Sequence, residues 1–133
     1  MTISRRQAIL SVAIVLCTTG EFAFARSGGP LYGLDTDNDR TVDLAEAKKA
    51  ASAVFDRLDR DHDGTLDRHE LRGRLTVREL NAADPDRDKT LTKDEYLAVV
   101  EQRFKAADPD HDGTLDSKEL KTKAGRALLR LLR

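Results

Sequence analysis

The sequence has no tryptophan, a single cysteine, a single methionine and only three prolines, and aromatic residues fill 5% of its 133 positions. The cysteine is Cys17 and the methionine is Met1. Both lie in an N-terminal stretch with a charged start (Arg5, Arg6), an apolar run from Ala8 to Cys17 and the small-residue site Ala23-Phe24-Ala25. That is the pattern of a secretory signal peptide, residues 1–25, removed after Ala25. The remaining chain, residues 26–133, then has no cysteine, which excludes disulfides and thiolate metal sites. It also has no methionine, which argues against the pliable methionine-lined groove of a promiscuous peptide sensor. No segment approaches the 18 apolar residues of a membrane span, so no membrane association is expected once the leader is cut. Ser4-Arg5-Arg6-Gln7 leaves both the general secretory and the twin-arginine route open, with the periplasm as the expected compartment. Neither charge sign dominates: beyond residue 25 there are 21 basic and 23 acidic residues. That balance gives no reason to expect a nucleic-acid partner.

What the chain does have is acid in a fixed pattern. Asp-x-Asp-x-Asp recurs from Asp35, Asp59, Asp84 and Asp108, at intervals of 24, 25 and 24 residues, and this repeat organises residues 26–133 as one domain. Four twelve-residue loops follow: 35–46, 59–70, 84–95 and 108–119. Position by position, the candidate ligands are Asp35, Asp37, Asp39, Thr41, Asp43 and Glu46 in loop one, and Asp59, Asp61, Asp63, Thr65, Asp67 and Glu70 in loop two. Loop three offers Asp84, Asp86, Asp88, Thr90, Thr92 and Glu95, and loop four Asp108, Asp110, Asp112, Thr114, Asp116 and Glu119. The spacing is that of the EF-hand calcium loop: side chains one, three and five of a tight coil converge, the seventh residue adds its backbone carbonyl, and the twelfth, arriving on the next helix, brings a bidentate glutamate. Asp also favours plain solvated turns. Yet 19 of the 23 acids beyond residue 25 stand on positions one, three, five, nine or twelve, which a set of unrelated turns would not produce. The eighth residue is aliphatic in each copy (Val42, Leu66, Leu91, Leu115) and is placed for a short strand contact with a partner loop.

Only 12 or 13 residues separate successive loops, about 18 Å of helix at 1.5 Å per residue, too little for two helices and a linker. Neighbouring loops must therefore share helices, and the expected fold is all-α: a compact EF-hand domain with short β-bridges between paired loops. Residues 47–58 and 96–107 contain neither Gly nor Pro, so each is expected to form one continuous helix. In the middle connector, 71–83, Gly73 and the capping-box sequence Thr76-Val77-Arg78-Glu79 favour a bend, placing loop two beside loop three and loop one beside loop four. A straight connector would instead bring loops one and three to a common end. Ser27-Gly28-Gly29-Pro30 cannot form an entering helix for loop one. The amphipathic segment 127–133 reads as a helix closing a small core, with a membrane-surface helix as the alternative.

Four loops 12 to 13 residues apart behind an export signal, Pro85 and Pro109 at the second loop position and near-uniform Asp at the ninth together resemble the lanmodulin family of periplasmic lanthanide-binding proteins. The stretches 63–67, 94–98 and 103–107 carry the likeness, which spans all of residues 26–133. The resemblance implies selective binding of lanthanide(III) ions, metal-driven compaction and a role in lanthanide uptake or handling, with a periplasmic protein partner; Ca2+ is the alternative ion. Elementary electrostatics is compatible with this. A loop with four Asp and one Glu carries −5, so a trivalent ion leaves −2 where calcium leaves −3, and the more anionic a site, the more it gains from the third charge.

The pattern is broken in places. The sixth position requires positive φ and should be Gly, but Arg40 and Lys89 occupy it in loops one and three, a strain of about 1 kcal/mol each. Loop three also has Thr92 at position nine. Loops two and four are therefore expected to bind most tightly, loop one next and loop three last. A calcium-stabilised protein-interaction module is the rival from another class, although no anchor cluster marks an exposed face. Enzymatic activity is not expected: His62, His69 and His111 have no cysteine near them and fit no common catalytic or zinc spacing.

Overall fold

The structure, a computed structural model, describes residues 29–133; the signal peptide expected at 1–25 lies outside them. The chain runs through strand β1 (Val42–Asp43), helix α1 (Leu44–Leu58), β2 (Thr65–Leu66), α2 (Val77–Ala83), β3 (Leu91–Thr92), α3 (Lys93–Ala107), β4 (Thr114–Leu115), a 3-10 turn (Glu119–Lys121) and α4 (Lys123–Leu132). The two shared helices form as expected, each starting three residues earlier because the twelfth-position glutamate and its neighbours complete the first turn. Both carry a capping box: Asp43 with Glu46 opens α1, and Thr92 with Glu95 opens α3.

The middle connector bends. Gly73 takes φ +81°, and Thr76 with Glu79 caps the short α2. The bend sets β1 against β4 and β2 against β3, both antiparallel, with the eighth-position residues in register: Val42 faces Leu115 and Leu66 faces Leu91. Loops two and three therefore share one end of the molecule and loops one and four the other; the straight-connector arrangement is not adopted. Before loop one the chain makes only turns from Pro30 to Leu34, so this loop has no entering helix.

The core lies between the two ends. On α1 the buried residues are Ala47, Ala51, Val54 and Phe55, and on α3 Tyr96, Val100, Phe104 and Ala107, a helical stripe in each case. These helices pack on one another, and α4 packs on α3. The rings of Phe55 and Tyr96 meet edge to face at 5.8 Å, and Lys93 lies over the Phe55 ring while pairing with Asp56 at 2.8 Å. As expected, the C-terminal segment closes the core, burying Leu128, Leu131 and Leu132. No described helix is long and apolar enough to cross a membrane.

Across the α1–α3 seam, Glu101 accepts hydrogen bonds from Lys105 and Lys48, each at 2.8 Å, and these hold its carboxyl down at about 2 against an ordinary value of 4.5. Because the folded-state value is depressed, the stabilisation is complete above pH 4.5 and is lost as pH falls toward 2. The side chain is one-third exposed, so salt screens much of the effect. Comparative acid titrations of the parent chain and Glu101→Gln, followed by circular dichroism, should show a stability difference above pH 4.5 that closes toward pH 2 and shrinks in high salt.

Candidate metal centres

Each loop is wound by the same backbone device. Residues four and six take left-handed conformations in all four copies: Asn38, His62, Arg87 and His111 at position four (φ 58–62°), and Arg40, Gly64, Lys89 and Gly113 at position six (φ 69–86°). The sixth N–H is thereby turned inward, where it donates to Oδ2 of the first aspartate: Arg40 to Asp35 at 3.0 Å, Gly64 to Asp59 at 3.1 Å, Lys89 to Asp84 at 2.8 Å and Gly113 to Asp108 at 3.1 Å. A Cβ at Gly64 or Gly113 would meet nothing within 4 Å, so the demand for glycine there comes from φ and not from space. Arg40 and Lys89 adopt the same turn and bear its strain. The left-handed fourth residue was not foreseen from the sequence; Asn and His tolerate that region, which was the available signal.

The fifth aspartate fastens the turn into the strand. Its Oδ1 accepts from both the N–H and the hydroxyl of the seventh-position threonine in every loop, at 2.7–2.9 Å. Those bonds lower the pKa of Asp39, through the Thr41 hydroxyl first and its N–H second. With the side chain so engaged, the threonine's part in ion binding is its backbone carbonyl.

Positions nine and twelve form a reciprocal pair. Glu46, Glu70, Glu95 and Glu119 each accept the ninth-position N–H on Oε2, while the ninth side chain accepts the twelfth N–H. The ninth residue thus acts as a cap, and Thr92 performs it as the aspartates do. Its replacement of Asp removes a negative charge from loop three without disturbing the local fold. In loops one and two the other glutamate oxygen, Oε1, accepts the second-position N–H of Thr36 at 2.6 Å and of Arg60 at 2.9 Å. Pro85 and Pro109 have no N–H to offer at that position.

The exit from loops two and four differs from the sequence expectation of a glutamate arriving on a helix. Glu70 lies in consecutive turns over residues 68–74 and Glu119 opens the 3-10 turn. Gly73 ends the first segment, and Thr122, capping α4, ends the second.

Carboxylate oxygens converge in every loop to within 4.8 Å of one another: Asp35, Asp37 and Asp39; Asp59, Asp61 and Glu70; Asp84, Asp86 and Asp88; and Asp108, Asp110 and Glu119. Only in loops two and four, the copies with Gly at position six, does the twelfth-position glutamate join the tight group. The ninth-position residues stand outside all four groups, in keeping with their capping role. Asp59 and Asp108 are buried, and the Oδ1 of each is a buried carboxylate oxygen with no hydrogen-bond partner among the described residues. The equivalent oxygens of Asp35 and Asp84 accept long bonds from Asp39 and Asp88, at 3.2 and 3.3 Å. An unpartnered buried acceptor costs about 1–3 kcal/mol, and more when charged, so the chemistry of Asp59 and Asp108 fits a cation bound between the convergent oxygens. Crowding shows in the titration too. In Asp61 an N–H from Asp63 pulls the pKa down, yet desolvation and the charges of Asp63 and Glu70 outweigh it and leave the value raised. Glu119 is likewise raised, its bond from the Asp116 N–H overcome by burial and by Asp110, Asp116 and Asp112.

The EF-hand family model matches residues 52–76 and 99–122. These segments contain loops two and four, the two with glycine at position six and with the unpartnered oxygen. No curated protein matches the chain. The architecture is that of the EF-hand fold, and loops of this kind bind divalent or trivalent metal ions.

Replacing Arg40 or Lys89 by Gly relieves about 1 kcal/mol of backbone strain and removes a cation from beside the carboxylates. Each change should tighten ion binding by its own loop about fivefold, read by isothermal titration, with loops two and four unchanged.

Proposed function

We propose that this is an exported, non-catalytic protein that captures lanthanide(III) ions in preference to calcium and folds around them, serving lanthanide uptake or handling in the periplasm. The observation that carries the metal reading is the pair of buried, unpartnered oxygens on Asp59 and Asp108, two residues whose carboxylates each converge with two others to within 4.8 Å. The lanthanide preference is supported by charge. Loops one, two and four each carry five carboxylates within twelve residues, and a trivalent ion neutralises more of that charge than a divalent one. Coupled folding is supported by the same density: without cations the loop acids repel one another across a core built from short helices, and the binding free energy becomes folding free energy. The resemblance to the lanmodulin family, with Pro85 and Pro109 in loops three and four, agrees with this reading. Arg40, Lys89 and Thr92 order the sites, with loops two and four the tightest and loop three the weakest.

Residues 26–133, followed by circular dichroism, should gain helix on adding metal, with the lanthanum midpoint at far lower free ion concentration than the calcium midpoint under matched buffering. Coincident midpoints would return the protein to the calcium class, and full helicity in chelator would refute coupled folding. Asp59→Asn and Asp108→Asn should each weaken one tight site by about tenfold or more, measured by competition with a calibrated chelator.

A further inference from the structure

Helix α4 is poorly equipped to stand alone. It has ten residues, short of the 12–15 or so at which isolated helices become even marginal in water. Its first turn holds Lys123 and Arg126 and no acid, the wrong sign for the positive end of the helix dipole. The carbonyls of its last turn have no partners within the helix, and they are met instead by side chains from elsewhere.

Those partners trace back to the metal loops. Tyr96, which directly follows Glu95 of loop three, is buried and donates its hydroxyl to the Leu131 carbonyl at 2.8 Å. Arg74, four residues beyond Glu70 of loop two, donates to the Arg130 carbonyl at 2.8 Å and also bonds the Arg133 carbonyl. Just past the same end, the Arg133 side chain donates to the carbonyls of Pro30 at 2.7 Å and Gly29 at 3.2 Å, beside the turn that leads into loop one. The tie to loop four is a close approach. A Cβ at Gly125 would stand 2.2 Å from the Glu119 carbonyl oxygen and 2.5 Å from the Leu120 Cα, so α4 rests directly on the backbone of the twelfth-position glutamate.

We propose that α4 is a metal-gated latch: beside the Arg103 side chain of α3, which donates to the Ala127 carbonyl at 2.7 Å, contacts from the segments flanking all four loops hold it on the core, so that it docks when the loops are organised and is released when they are not. The inference rests on the metal reading above and adds a part to it. Docking covers Leu128, Leu131 and Leu132; release uncovers that apolar face beside Lys123, Arg126 and Arg130. Because coupling is reciprocal, whatever loosens α4 must also weaken ion binding.

Hydrogen exchange on residues 26–133, with lanthanum added one equivalent at a time, separates the alternatives. Amides 126–132 should exchange freely in chelator and gain protection only with the later equivalents, after α1 and α3 are protected. Tyr96→Phe removes one hydroxyl and keeps the ring; it should lower α4 protection about tenfold, leave that of α1 intact and weaken lanthanum binding several-fold. Gly125→Ala should do the same from loop four, and if it fails to fold, Tyr96→Phe carries the test. Protection of α4 in chelator, its appearance with the first equivalent in step with α3, or parent-like lanthanum affinity in Tyr96→Phe would each overturn the latch. No metal-dependent protection in α1 or α3 would instead overturn the metal reading and the latch with it.

Discussion

The bond from the sixth N–H to Oδ2 of the first aspartate is the interaction on which each site depends. It requires a left-handed residue at position six and engages one oxygen of the aspartate, leaving the other free of that bond. Where that second oxygen is buried without a partner, at Asp59 and Asp108, the protein holds a buried charge that a bound cation would satisfy. Where it accepts a long bond from the fifth N–H, at Asp35 and Asp84, the demand is smaller. One hydrogen bond thus joins the backbone conformation of the loop to the electrostatics of the site.

Topology distributes the two kinds of loop. The strand pairs set loop two beside loop three and loop one beside loop four, so each end of the molecule has one glycine-wound loop with an unpartnered oxygen and one strained loop with a cation at position six. The two well-formed loops are both entered by α-helices, α1 and α3, and both exit through tight turns. The two strained loops feed their glutamate into a capping box. Because Glu46 and Glu95 are at once the candidate ligand and the third residue of a capped helix, helix formation and ion binding in these loops draw on the same side chain. The core between the ends is thin, two helical stripes joined by Phe55 and Tyr96, and it depends on α4 for closure.

Much of this was legible in the chain. The loop boundaries, the convergent acids, the two uninterrupted helices, the capping box at Thr76 and the bend near Gly73 are local matters of spacing and backbone preference, and such rules hold wherever the residues fall. The same is true of the unusual sixth residues, whose strain follows from chirality alone. Less legible were the left-handed fourth residues, since Arg87 shares that conformation with Asn38 and the two histidines, and the ninth-position side chains, which the motif marks as ligands and which here cap the following turn.

The sequence by itself therefore determined what each loop is: its twelve residues, its charge and its turn chemistry, because those depend on neighbours a few positions away. Only the tertiary structure decided how the loops are paired, that the glutamates of loops two and four arrive on turns, and that Asp59 and Asp108 keep an oxygen buried and unmatched. It also decided that Tyr96, Arg74 and Arg133 fasten α4 to segments 35 to 104 residues away. Burial and long-range donors are set by which surfaces the bend brings together, and no short-range rule encodes that.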